Sequence, residues 1–195
     1  MINKLENIST IEIGHLFRKG IEPNASGEYS VVQMKDVDSN CRLLTSNLIR
    51  VSLDAPPRTE VIVNKGDILI KSRGQKNTAA LVDISSKNTI AVSQFLIVRP
   101  EPCVLSEYLV WYLNQAPAQQ YFSQNAAGTG TPHLNKESLA ELTVVVPEII
   151  VQKNIIRLVE LGYQEAKLVG ALHQKRQLLL QTMLLCYLNQ NTRKE

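Results

Sequence analysis

Two short stretches of this sequence carry side chains of the kinds that bind phosphates or the edges of bases. The first, residues 71–77, combines three cations with three hydrogen-bonding side chains and no acid: Lys71, Ser72, Arg73, Gln75, Lys76 and Asn77. Lys and Arg bind phosphates or guanine edges, and Gln and Asn can pair with adenine in the major groove. The stretch therefore favours contact with DNA, although a solvated hairpin loop has the same composition.

The second stretch is the run Gly-Thr-Gly-Thr-Pro-His at residues 128–133. Glycines and hydroxyls ahead of a helix are typical of a phosphate-binding loop and also of a plain turn. No Gly-Lys-Ser/Thr follows the glycines, which excludes a nucleoside triphosphate loop of the Walker type. Thr129, Thr131 and His133 are candidates for contact with a DNA phosphate, while a structural turn is the interpretation that we favour.

A third polar set, Gln33, Lys35 and Arg42, lies between two early apolar runs. These residues could supply further contacts to bases or to the DNA backbone, and they could equally well belong to an exposed loop. The first hundred residues hold 13 Lys and Arg against 10 Asp and Glu, whereas the remaining residues carry equal numbers. The net charge of +3 therefore comes from the part with the basic stretches, which favours a polyanionic partner there.

Motifs for catalysis and metal binding are missing from the sequence. There is no GxSxG or HExxH motif, and none of the three histidines has an obvious carboxylate or nucleophile partner. Cys41, Cys103 and Cys186 are too widely spaced for a metal cluster, and their odd number favours a reducing compartment. No leader-like or membrane-spanning apolar run occurs. We therefore expect a cytoplasmic binding module without a catalytic site, metal, cofactor or membrane partner.

The first hundred residues alternate short β-like runs with polar turns. Candidate strands are residues 30–32, 49–51, 61–63, 68–71, 79–82 and 94–98. Short strands at this spacing predict a mixed, mostly antiparallel sheet or a partial barrel. The strand at 68–71 ends at the first basic stretch, and a strand that ends in a polar loop with a glycine can project side chains into a groove.

Helix signals begin after Pro102. Ser106 is a candidate N-cap for a helix over residues 106–115, and a second helix is expected over 116–124. Asn135 is a candidate cap for a short helix that runs through Leu142. The run 142–147 then predicts one last strand, closed by proline. Helices packed against a mostly antiparallel sheet make the predicted fold class α+β.

A long helix is predicted from Gln152 to about Leu188, because no proline interrupts the pattern. Its apolar ladder follows the alternating spacing of three and four residues that is typical of a coiled coil, at Leu158, Leu161, Glu165, Leu168, Leu172, Lys175 and Leu179. We expect the five leucines to form a dimer interface, with Glu165 and Lys175 tuning register or partner choice. The alternative is an amphipathic helix folded back on its own domain. The expected domains are residues 1–150 and 151–195.

The order of these motifs resembles the target recognition domain of type I restriction-modification specificity subunits. The resemblance covers nearly the whole chain, and its motifs are residues 11–20, GDILIKSRGQ at 66–75, AVSQFLIVRPEP at 91–102, the glycine turn at 128–132, the short helix at 136–142, the run ending at Pro147 and the helix that begins QKNII at 152–156. A full specificity subunit is similar to two such units in tandem, so the chain looks like a half-length subunit. The family often has an acidic residue before the helix Gln, where this sequence has Val151.

The resemblance implies sequence-specific binding of double-stranded DNA and recruitment of DNA methyltransferase subunits. Two copies paired antiparallel through the long helix would hold two recognition domains at a fixed separation. A homodimer of this kind would read a symmetric, bipartite site. Methylation and cleavage would then belong to partner polypeptides.

Two alternatives remain open at this stage. The chain could be a solitary or truncated relative that needs a second specificity fragment. It could also be a coiled-coil adaptor between proteins, in which the basic stretch is incidental. Neither the target sequence nor the spacing between half-sites can be predicted from the residues.

Overall fold

The computed structural model describes residues 1–38, 41–74, 76–84, 88–126 and 133–191. Within these ranges the strands are β1 (Ile2–Lys4), β2 (Ser9–Ile13), β3 (Tyr29–Val32), β4 (Ile49–Val51), β5 (Ile68–Lys71), β6 (Ala79–Leu81), β7 (Thr89–Ala91), β8 (Phe95–Pro100) and β9 (Thr143–Val145). The helices are α1 (Ser106–Leu113), α2 (Ala116–Asn125), α3 (Lys136–Ala140) and α4 (Ile149–Asn191). This content confirms the predicted α+β class.

The described strands form three open sheets. The largest has the order β2-β8-β5-β6 and is antiparallel throughout. A second sheet has the order β4-β3-β7, in which β3 runs antiparallel to β4 and parallel to β7. The short strands β1 and β9 form a separate antiparallel pair. The mostly antiparallel prediction is confirmed, and these strands do not close into a barrel.

One apolar core cluster joins the two larger sheets. Val31 from β3, Leu69 from β5 and Ile97 from β8 are fully buried members of this cluster. Ile68 and Ile70, which alternate with Leu69 and so point to the opposite face of β5, are fully buried as well. Burial of both faces explains why β5 appears in the sequence as a continuous apolar run rather than as an alternating one.

Two local predictions are wrong. The expected strand at 61–63 is instead a 3-10 helix, Thr59–Val61, followed by a single bridge between Ile62 and Ile90. Ser106 is the first residue of α1 rather than its cap, and Leu105 occupies the N-cap position without a side-chain cap bond. The Leu105 N–H is bonded to the distant Gln152 side chain at 2.8 Å, a contact that no local pattern indicates.

The predicted cap of the short helix α3 is confirmed. The Asn135 side chain accepts a hydrogen bond from the Ser138 N–H at 2.7 Å. The helix ends at Ala140 rather than at Leu142, whose N–H bonds to the Leu139 carbonyl as the chain turns into β9. The Leu142 carbonyl in turn accepts from the Leu5 N–H at 2.9 Å. The N-terminal segment and the chain after α3 are therefore fastened together.

The chain divides into two compact units, Met1–Lys153 and Asn154–Glu195. The first unit contains the sheets, α1 to α3 and the first turn of α4. The second unit is built from the rest of α4. Along this part of α4 many large apolar side chains are exposed, among them Leu158, Leu161, Leu168, Leu172, Leu178, Leu179, Leu180, Leu184, Leu185 and Leu188. No helix in the described ranges has the length and apolar character that crossing a membrane requires.

Candidate nucleic-acid interface

The first basic stretch forms the loop between β5 and β6, residues 72–78. The two strands pair antiparallel, with Ile70 opposite Ala79, and the Lys71 N–H donates to the Thr78 carbonyl at 3.0 Å. Gly74 turns the loop with a φ of 116°, a backbone conformation that residues with a Cβ rarely adopt. A hairpin buried at its base therefore holds this polar loop at the end of the sheet.

Two of the short polar side chains of the loop hold it in place. Ser72 is buried, and its backbone N–H and its hydroxyl both donate to the Gln94 carbonyl at 2.8 Å. Asn77 is also buried, and its side-chain amide donates to the Lys71 carbonyl at 2.8 Å. The Gln119 side chain donates to the Asn77 carbonyl at 3.1 Å, which ties the loop to α2. Ser72 and Asn77 therefore serve the shape of the loop in this structure.

The chain after the glycine-rich run lies beside the same loop. Arg73 and His133 form an isolated antiparallel bridge, and the Leu134 N–H donates to the Ser72 carbonyl at 2.8 Å. Leu134 is buried and His133 half-buried. The structure therefore brings His133 to the basic loop, although 60 positions of sequence separate Arg73 from His133.

The third polar set borders the basic loop on another side. The Lys71 ammonium donates to the Val37 carbonyl at 3.1 Å, and Arg42 bridges to Leu81 of β6. Gln33 precedes a 3-10 helix, Met34–Asp36, which carries the exposed Lys35. The Gln33 N–H donates to the Asp36 carboxylate at 2.8 Å, which fixes the start of this helix. Three separate segments of the chain thus meet at one surface.

Cys41 is a feature of this surface that the sequence did not indicate. It has a φ of 62°, which is rare for a residue with a side chain, and it lines a cavity of about 330 Å³ with Arg42 and Leu81. Burial raises the pKa of the Cys41 thiol and Asp38 adds to this, while the charges of Lys71 and Lys76 act in the opposite direction. Cys41 therefore lies within electrostatic range of Lys71 and Lys76.

The cations of this surface differ from several others in their pairing. Lys35, Arg73 and Lys76 are exposed, and none of them belongs to an ion pair formed by the described residues. Four other cations in the described part of the first hundred residues, Lys4, Lys19, Lys65 and Arg99, do face a carboxylate, and Lys65 faces Asp83 at 2.7 Å. Exposed cations without a carboxylate are available to a phosphate or a base edge.

The predicted contact residues therefore fall into distinct groups. Lys35, Arg42, Arg73 and Lys76 are exposed or border the surface, whereas Lys71, Gln33 and His133 are half-buried and Ser72 and Asn77 are buried. Gln75, Thr129 and Thr131 lie outside the described residues. Among the described residues, no group of His, Cys, Asp and Glu is arranged to hold a metal ion. The surface has the chemistry of an anion-binding site.

Comparison with known proteins connects this chain to a family. The family model described as "Type I restriction modification DNA specificity domain" matches residues 1–162, most of the chain. No curated protein sequence matches the chain.

Three solved structures share the fold at low sequence identity. The HsdS subunit from Thermoanaerobacter tengcongensis is 16% identical with a TM-score of 0.62, over 85% of this chain and 37% of that one. A chain from a structure on complex assembly and conformational transition of the type I R-M system is 15% identical with a TM-score of 0.62, over 87% and 39%. The S subunit of a type I restriction-modification system from M. genitalium is 15% identical with a TM-score of 0.55, over 88% and 41%.

This chain thus spans well under half the length of each of these structures. The family model nevertheless covers both the sheets and the start of the long helix, in the order that the motifs of the sequence have. The likeness in fold covers 85 to 88% of the chain. The chain belongs to the family of type I restriction modification DNA specificity domains.

Proposed function

We propose that this chain binds double-stranded DNA in a sequence-specific manner, as a specificity subunit of a type I restriction-modification system. The observation that carries the proposal is the set of exposed cations, Lys35, Arg73 and Lys76, that have no carboxylate partner among the described residues. Arg73 and Lys76 lie on a single loop, and hydrogen bonds fasten the ends of this loop to three other segments. Membership of the family supports DNA as the partner of this surface.

Hydrogen bonds hold both ends of the loop, which suits it to a contact with DNA. The Ser72 and Asn77 side chains fasten the chain at these two ends, so less of the interaction energy has to be spent on ordering them. Arg73 is suited to a bidentate contact with guanine, while Lys76 and Lys35 suit phosphates. His133 and Arg42 border the loop and are the next candidates. Phosphate contacts would supply affinity that depends on salt, and base contacts would select the sequence.

A dimer through α4 would make the target bipartite. The five leucines of the predicted seam, Leu158, Leu161, Leu168, Leu172 and Leu179, are all at least 49% exposed in the single chain. Water-exposed leucines at coiled-coil spacing favour a partner helix. If that partner is a second copy, the two-fold axis gives identical half-sites in opposite orientations.

Recruitment of methyltransferase subunits is supported by the remaining apolar surface of α4. Near its end the helix is apolar on faces that the seam does not use, at Leu178, Leu180, Leu184, Leu185 and Leu188. A helix that is apolar all round is normally buried on several sides, and one partner helix covers only one side. We propose that methyltransferase subunits cover the rest and carry out the chemistry, in the cytoplasm, so that this chain itself is not catalytic.

The experiment that tests the proposal is methylation mapping in a host that expresses this chain together with a cognate DNA methyltransferase. We expect methylated bases at one recurrent, split palindromic sequence, and none when this chain is omitted. A methyltransferase that co-purifies with the chain and still methylates no recurrent sequence would contradict the proposal.

A second candidate function is a coiled-coil adaptor between proteins, which the exposed leucines of α4 also favour. The two candidates differ in the role of the basic loop. Alanine at Arg73 and Lys76 should leave an adaptor's binding to its protein partner unchanged, and the adaptor should show no preference among DNA sequences. A chain that needs a different specificity fragment in place of a second copy would instead be identified by an asymmetric methylated sequence.

A further inference from the structure

We infer that α4 pairs with α4 of a second copy in one antiparallel register, in which Glu165 of each copy faces Lys175 of the other. This inference rests on the proposed pairing through α4, for which the family resemblance already implies the antiparallel direction, and adds the alignment of the two helices. Glu165 and Lys175 are exposed in the single chain, and neither takes part in an ion pair within the described ranges. They are the two charged members of a seam that is otherwise leucine.

The geometry follows from the spacing of the seam. In an antiparallel pair, a step forward along one helix is a step backward along the other, so a single facing pair fixes every other pair. With Glu165 against Lys175 of the second copy, the neighbouring layers contain leucine only: Leu161 against Leu179, and Leu168 against Leu172. The two-fold axis repeats each layer once. Every leucine of these layers then faces leucine, and every charge faces its opposite.

Displaced antiparallel registers destroy this match. A shift by seven residues in one direction sets Glu165 against Leu168 and Lys175 against Leu158. A shift in the other direction sets Glu165 against Thr182 and Lys175 against Leu172. Each shift buries charges against side chains that carry no opposite charge, which is costly at a helix interface. A charged or polar residue in a seam therefore selects the register in which it finds a partner.

A parallel pair in register is disfavoured by the same two residues. It would place Glu165 against Glu165 and Lys175 against Lys175 of the second copy. Like charges that face each other across an interface repel, and such contacts exclude partners and orientations. The opposite signs at Glu165 and Lys175, on either side of Leu168 and Leu172, thus specify direction as well as alignment.

Charge exchange in the full chain tests the inference, with the dimer dissociation constant measured by analytical ultracentrifugation over a dilution series. Glu165→Lys and Lys175→Glu each turn both attractive layers into repulsive ones. We expect each single change to weaken the dimer by about tenfold or more. The double change Glu165→Lys with Lys175→Glu restores opposite charges in both layers, and we expect an affinity close to that of the unchanged chain.

Matched controls are Glu160→Lys and Lys167→Glu, which make the same charge changes on α4 away from the seam and should leave the dimer largely intact. A dimer that neither single change weakens, or that the double change fails to restore, would overturn the register while leaving pairing through α4 in place. A chain that stays monomeric at every concentration would instead overturn the pairing itself. Helix content, followed by circular dichroism, verifies that each variant is folded.

Discussion

The side chain of Gln152 accepts a hydrogen bond from the backbone N–H of Leu105 at 2.8 Å, although 47 positions of sequence separate the two residues. The amide nitrogen of Gln152 donates to the Pro147 carbonyl at 2.8 Å and to the Cys103 carbonyl at 3.1 Å. Gln152 is fully buried. One side chain thus fastens the first turn of α4 to the segment that precedes α1.

We expect Gln152→Leu to lower the free energy of unfolding by about 2 to 4 kcal/mol, because leucine cannot make the three hydrogen bonds of the buried Gln152 side chain, each worth about 1 kcal/mol. Urea unfolding of the full chain measures the change. The control is Gln174→Leu on the exposed surface of α4, which should change the stability by no more than about 0.5 kcal/mol. Equal effects of the two substitutions would show that the three hydrogen bonds of Gln152 contribute little to the free energy of unfolding.

Removal of two cations from the basic loop should weaken DNA binding and its dependence on salt. Each phosphate that the protein ceases to bind lowers the slope of log affinity against log salt by about one. The double change Arg73→Ala with Lys76→Ala should therefore lower the slope by about two per bound chain if both residues bind phosphates. Fluorescence anisotropy with a DNA duplex, repeated at several salt concentrations, measures it.

The matched control for this pair is Lys153→Ala with Lys167→Ala, which removes the same charge from α4. For this control variant, the DNA affinity and the slope of log affinity against log salt should stay close to those of the unchanged chain. If Arg73 reads a guanine, Arg73→Ala alone also relaxes the sequence preference at one position, whereas Lys76→Ala weakens binding to all sequences equally. Equal salt slopes for the two double variants would show that the basic loop does not bind DNA.

The sequence predicted those elements whose signals are local. The bounds of β5 followed from an apolar run between two polar turns, and the long helix followed from an apolar ladder without proline. Strand β7, Thr89–Ala91, was not predicted, because its three buried residues take their place beside β3, far away in sequence. The place of a strand in a sheet depends on partners that are distant in sequence, and the residues of the strand alone do not reveal these partners.

In the candidate site, too, some features could be predicted from local sequence and others depend on distant residues. The basic loop could be predicted because its cations are close neighbours in sequence and follow a strand. The Ser72 hydroxyl donates to the Gln94 carbonyl and the Asn77 carbonyl accepts from the Gln119 side chain, and these partners are 22 and 42 positions away in sequence. Cys41 gave no signal, since nothing in its neighbourhood indicates a positive φ or a place beside the basic loop.

The buried polar residues of the loop should affect stability more than sequence choice. We expect Ser72→Ala and Asn77→Ala each to lower the free energy of unfolding by about 0.5 to 1.5 kcal/mol, because each substitution removes one side-chain hydrogen bond that holds the loop. The methylated sequence should stay the same at temperatures where the variants are folded. Ser46→Ala, at an exposed turn, is the control for stability. A change in the methylated sequence with unchanged stability would instead assign Ser72 or Asn77 to base contact.

Asp67 is a buried carboxylate at the turn before β5. It accepts hydrogen bonds from the Asn64 N–H at 2.9 Å and from the Arg99 guanidinium at 3.3 Å. Burial raises the pKa of Asp67 above its ordinary value of 3.8, and the backbone bond from Asn64 and the charge of Arg99 only partly oppose it. The folded chain therefore takes up a proton at Asp67 more readily than the unfolded chain does.

This difference predicts how stability depends on pH. Because the pKa of Asp67 is raised by folding, its contribution to stability is greatest below the unfolded value of 3.8 and is lost as the pH rises through the folded value. Asp67→Asn removes this titration. We therefore expect the unfolding free energy of the unchanged chain, minus that of Asp67→Asn, to increase as the pH is lowered from about 7 toward about 4. Urea unfolding at each pH measures it, and a difference that decreases on acidification would mean that the ion pair with Arg99 outweighs burial.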